Sequence, residues 1–78
     1  MFIEIISPEF TIFSGEIKKV KFPGKEGSFE ILNNHAPMVA VLKKGKIRIT
    51  DAENKHNFFE VNGGVVELKK NKIIVLAE

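Results

Sequence analysis

Cysteine is absent from the 78 residues, as are tryptophan and tyrosine. Without cysteine there is no disulfide framework and no thiolate zinc site, the two common staples of a small fold. That absence fits a reducing compartment. Arginine occurs once, at Arg48, beside eleven lysines, although base and phosphate readout favours the planar arginine fork. Long apolar runs are missing too. The longest, Met38 to Leu42 and Ile73 to Ala77, have five residues each, whereas a membrane-spanning helix needs about twenty. The opening Met1-Phe2-Ile3-Glu4 has neither the basic start nor the apolar stretch of a secretory signal. Any membrane association is therefore expected through a partner. Leucine and alanine, strong helix formers, together number only eight.

What is present is sheet-forming. Isoleucine, valine and phenylalanine number 24, and such side chains suit a pleated surface. No stretch keeps apolar residues at helical spacing over helical length. Turn residues recur at Ser7-Pro8, Ser14-Gly15, Pro23-Gly24, Gly27, Asn33-Asn34, Gly45, Asp51 to Lys55, Asn62-Gly63 and Asn71. Short strands at that spacing predict an all-β sandwich or barrel in one domain. Apolar residues at 44% and charged residues at 28% are globular values. A core of this size rarely supplies more than about 3–5 kcal/mol by itself. The chain must pack very well or lean on a partner. The net charge is +2, and the basic pairs Lys18-Lys19, Lys43-Lys44 and Lys69-Lys70 are spread out with acids between them. They read as solvated strand faces and turn edges.

Strand placement follows the alternation. Phe2 to Ile6, Phe10 to Phe13, Glu16 to Phe22 and Ser28 to Leu32 come first. Ile47 and Ile49 point inward from Lys46 to Thr50, and Phe59 and Val61 share a face from Asn57 to Val61. Asn62-Gly63 predicts a type I′ hairpin to Gly64 to Leu68, and Lys72 to Leu76 closes the meander. Between Glu16 and Phe22 the inward phase slips, because Ile17 and Val20 are three apart. A bulge or a change of sheet explains that slip. Met38 to Leu42 is apolar on both faces. It fits either a strand buried on both sides or a strand with one face against another protein.

Reactive chemistry is hard to place. His35 and His56 are the only histidines, and they do not stand at metal-ligand spacing. Ser14 and Ser28 lie outside any nucleophile elbow. Pro23 to Ser28 has glycines but not the spacing of a phosphate loop, and no helix follows to offer its dipole. Glu26 and Glu30 have no evident acid/base partner. No catalytic residue, cofactor site or metal site is expected.

The ordered string Phe13-Ser14-Gly15-Glu16, Pro23 to Leu32, Asn34-His35-Ala36-Pro37, Leu42 to Ile49, Val61 to Leu68 and Asn71 to Glu78 resembles the epsilon subunit family of F-type ATP synthase, called delta in mitochondria. Ile5-Ile6-Ser7-Pro8 fits the family's first strand and turn. The resemblance spans nearly the whole chain. It implies an all-β fold, a single ten-stranded β-sandwich over residues 1–78. It also implies a non-catalytic rotor subunit of the central stalk. Such a subunit couples rotation of the membrane proteolipid ring to the gamma subunit during proton- or sodium-driven ATP synthesis. His35, Ala36, Pro37, Met38, Val39 and Val41 would then face the gamma subunit, which favours the interface reading of that strand. Gly24, Lys25, Glu26, Gly27 and Ser28 would face the polar loops of the ring. Many family members carry an acid where this chain has Ser28, and Lys25 and Glu26 are the charged residues of this turn.

Fuller members continue past Leu76-Ala77-Glu78 into two helices that inhibit ATP hydrolysis and in some bacteria bind ATP. Here the expectation is the sandwich without that pair. The implied location is peripheral, on the cytoplasmic face of the bacterial inner membrane or the stromal side of the thylakoid. Membrane contact would come only through the complex, and the isolated domain would be monomeric. A different class, a small β-barrel that binds single-stranded nucleic acid, is suggested by the sequence pI near 9.0 and seven phenylalanines. Interspersed acids and a single arginine weigh against it. A lipoyl or biotinyl carrier sandwich would need a modifiable lysine between characteristic flanking residues, and Lys55 lacks them.

Overall fold

Alternating side chains leave each strand with one face for a shared core, so two sheets stacked face to face satisfy all of them at once. The computed structural model describes residues Met1 to Glu78. It contains no helix, and most of its residues lie in nine strands. These are β1 (Phe2–Ile6), β2 (Thr11–Glu16), β3 (Lys19–Phe22), β4 (Phe29–Ile31), β5 (Met38–Leu42), β6 (Gly45–Thr50), β7 (His56–Val61), β8 (Gly64–Lys69) and β9 (Lys72–Ala77). One sheet has the order β2-β1-β9-β8-β5 and the other β4-β3-β6-β7. The all-β sandwich expected from the residues is what forms, with nine strands in place of ten. A single bridge between Gly24 and Leu42 stands outside the named strands.

The core is the set of inward positions. Ile3, Ile5, Val66, Leu68, Ile73 and Val75 from the first sheet meet Val20, Phe22, Ile31, Ile47 and Ile49 from the second, all nearly inaccessible to water. β1 and β9 pair in parallel, from Phe2 with Lys72 to Ile6 with Leu76. The two ends of the chain are thereby joined side by side in the centre of one sheet. At one flank the gap between sheets is closed by Phe13 of β2 and Phe59 of β7, whose ring centres are 5.2 Å apart.

The phase slip near Ile17 is a change of sheet. β2 ends at Glu16 in the first sheet and β3 starts at Lys19 in the second. At the crossing, Ile17 N–H donates to Met1 O and Lys18 N–H to Thr50 O, each at 2.8 Å. Neither sheet therefore loses its backbone partner there.

The expected Asn62-Gly63 hairpin does not form. β7 pairs with β6, whereas β8 pairs with β5 and β9 in the opposite sheet. The local turn signal was outweighed by strand pairing, which sets β7 beside β6 in one layer and β8 between β9 and β5 in the other. Gly63 and Gly64, at φ of 145° and 146°, carry the chain across. A Cβ at Gly64 would stand 2.4 Å from Leu76 O, so glycine is required. The two-residue hairpin occurs instead between β8 and β9. Lys70 and Asn71 both take positive φ, 51° and 60°, as a type I′ turn demands.

Candidate protein-binding surface

β5 settles its own ambiguity. Met38 packs against the core and Leu42 is buried, while Val39 and Val41 on the opposite face are 68% and 53% exposed. Strand register then extends this exposed face across the sheet. Val41 lies opposite Val65, Val65 opposite Leu76, and Leu76 opposite Ile6. Val65 and Leu76 are 40% and 56% exposed, and Ile6 is half-buried. With neighbouring strands about 4.8 Å apart, this is a continuous apolar row about 14 Å long on the outer face. One residue pair further along, Val39 is followed by Glu67, Ile74, Glu4 and Ser14. Covering the four side chains of the apolar row is worth about 1 kcal/mol for each half-exposed group. Contiguous apolar surface of this kind marks a binding face more often than chance exposure does.

The residues expected to meet the ring form a tight turn packed beside β5. Lys25 N–H donates to Val41 O at 2.8 Å, Lys43 N–H to Pro23 O at 2.9 Å, and Gly27 N–H to Gly24 O at 3.0 Å. The first two bonds cover part of the β5 edge that would otherwise be open to strand addition, and the third closes the turn itself. Gly24 has no room for a side chain, since a Cβ would lie 2.8 Å from the Phe29 ring. Lys25, Glu26, Gly27 and Ser28 are exposed. Between this turn and Val39, Ala40 and Val41 runs an open groove of about 840 Å³. The two sets of residues expected to contact different partners are therefore brought together at Val39 and Val41.

His35, Ala36 and Pro37 are exposed at the other end of β5. The His35 Nδ1–H donates to Ala36 O at 2.7 Å, and Asn34 N–H donates to Asn71 Oδ1 at 3.3 Å. The loop is thus fastened to the β8–β9 hairpin. His56 also has a local hydrogen bond, between Nδ1 and the buried Thr50 Oγ1 at 2.9 Å. No group of three or more His, Cys, Asp or Glu side chains is placed to hold a metal ion. No helix is long and apolar enough to cross a membrane. The exposed face presents aliphatic side chains and backbone turns.

Sequence reasoning singled out Val39 and Val41 but missed Ile6, Val65, Ile74 and Leu76. The signal was present in Ile73 to Ala77, which is apolar on both faces in the same way as Met38 to Leu42.

The family model for the ATP synthase delta/epsilon chain β-sandwich domain matches residues 1–78. The ATP synthase epsilon chain of Chlorobium limicola is 40% identical over 76 residues, which cover 97% of this chain and 86% of that one. Among solved structures, a chain of the Euglena gracilis mitochondrial ATP synthase (OSCP/F1/c-ring in rotational state 1) superposes with a TM-score of 0.90. Its identity is 16%, over 96% of this chain and 48% of the other. A chain of the Tetrahymena thermophila mitochondrial ATP synthase central stalk and c-ring gives 0.79 at 20% identity, over 97% and 61%.

Proposed function

Because the chain belongs to the ATP synthase delta/epsilon chain family through its β-sandwich domain, we propose that it is a non-catalytic subunit of the central stalk, binding the gamma subunit through the outer face of the five-stranded sheet. The observation that carries this reading is the apolar row Val41, Val65, Leu76 and Ile6, left in water by a sandwich whose core is already filled. The turn Gly24 to Ser28 meets the polar loops of the proteolipid ring, and the loop His35 to Pro37 borders the gamma contact. Ion flow turns the ring, and this domain holds ring and gamma subunit together so that torque reaches the catalytic sites without slip. A stiff two-layer sandwich suits that task, because its purpose is a rigid multi-point contact. Attachment to the membrane is peripheral and runs through the complex, on the cytoplasmic face of a bacterial inner membrane or its stromal counterpart.

Co-expression with the gamma subunit of the same enzyme, followed by size exclusion, tests the reading. The two chains are expected to co-elute. Val41→Asp should abolish co-elution while the isolated variant keeps its thermal transition. Co-elution of folded Val41→Asp at the parent level would remove the apolar row from the interface.

A further inference from the structure

The outer face of the five-stranded sheet changes character along its strands, and register makes the change stepwise. The first step is the apolar row already described. In the second, Glu67 and Glu4 stand on either side of Ile74. In the third, Lys69 lies opposite Lys72, and Lys72 opposite Phe2, with Lys70 at the adjoining hairpin tip. Two of these charges are already engaged. Lys72 Nζ is 3.8 Å from Glu4 Oε1 and 5.9 Å from the centre of the Phe2 ring. Glu67, Lys69 and Lys70 are exposed and none of them takes part in an ion pair or a side-chain hydrogen bond of the domain. They border the apolar row at one end, while the exposed Lys43 and Glu78 stand two residues beyond Val41 and Leu76 at the other.

Resting on the gamma-binding reading above, we infer that these free charges read the partner's orientation. The partner is a protein surface with aliphatic side chains over Val41, Val65, Leu76 and Ile6. It carries a lysine or arginine against Glu67 and a carboxylate against Lys69 and Lys70. An apolar patch alone supplies affinity but tolerates sliding and rotation of its partner. A carboxylate and two ammonium groups beyond one end of the patch penalise the reversed arrangement by like-charge contact. A rotor joint that transmits torque needs such a single seating.

The test is a binding titration of the full chain against the gamma subunit of its own enzyme, at low and at high salt. Glu67→Lys should weaken binding about tenfold at low salt, and the loss should shrink as salt screens the contact. Lys69→Glu should behave the same way, and Glu67→Gln should show a smaller loss in the same direction. Val65→Asp should lose binding at both salt levels. Parent-like affinity in Glu67→Lys and Lys69→Glu, with Val65→Asp unable to bind, overturns the orientation inference and leaves the gamma-binding face in place. Should Val65→Asp bind as the parent does, both readings fall. If Glu67→Lys does not fold, Glu67→Gln and Lys69→Glu decide the outcome by the same criteria.

Discussion

The two sheets obey one rule on their inner faces and opposite rules on their outer ones. Across the four-stranded sheet the outward row reads Glu30, Lys21, Arg48 and Phe58. There Arg48 donates to Glu30 Oε2 at 2.7 Å, and the flanking positions carry Lys46 opposite Glu60. The five-stranded sheet places Val41, Val65, Leu76 and Ile6 in the equivalent outward row. A solvated face needs charge, and the four-stranded sheet has it. The five-stranded sheet leaves a whole row of aliphatic side chains in contact with water, which lowers solubility and adds no packing. Burial of apolar residues therefore accounts for the fold and leaves the aliphatic row on the outer face of the five-stranded sheet uncovered.

Neighbouring residues of β8 give the sharpest contrast. Val66 points inward and is inaccessible, while Val65 points outward. Val66→Asp should leave the chain unfolded, because an unpaired carboxylate in an apolar core costs several kcal/mol in a domain with little to spare. Loss of the β-sheet circular dichroism signal checks it. Gly64→Ala, at the crossing between sheets, should lower stability by about 2 kcal/mol, since it adds strain at positive φ to a clash with Leu76 O. Chemical denaturation measures that loss. Leu76→Ser, on the outer row, should shift stability by less than about 0.5 kcal/mol and raise the solubility of the isolated chain. A shift of several kcal/mol would instead assign Leu76 to the core. Arg48→Ala should also cost little, about 0–1 kcal/mol for a partly exposed pair, and should leave partner binding unaltered.

Much of this contrast could be read from residues alone. Period-two alternation in Lys46 to Thr50 and in Asn57 to Val61 is a backbone property, so the placing of Ile47, Ile49, Phe59 and Val61 toward the core followed directly from it. The double-faced character of Met38 to Leu42 left open a strand buried on both sides or one with a face against another protein, and the structure shows which of its two faces is exposed. The Asn62-Gly63 hairpin failed because a dipeptide reports local turn preference and carries no information about which layer each strand must join. The rest of the outer row escaped for a related reason. Ile6, Val65 and Leu76 are separated by up to seventy residues and become neighbours only through the parallel pairing of β1 with β9 and the placing of β8 between β9 and β5. The free charges Glu67 and Lys69 were likewise ordinary surface residues until register put them beside that row.

Amide chemical-shift mapping during titration of the labelled chain with the gamma subunit addresses the binding face without any substitution. Perturbations should concentrate at Val39, Val41, Val65, Glu67, Ile74, Leu76 and Ile6, and leave Lys21, Arg48 and Phe58 unmoved. A map centred on Lys21, Arg48 and Phe58, with the aliphatic row undisturbed, would contradict the assignment of the five-stranded sheet as the binding face.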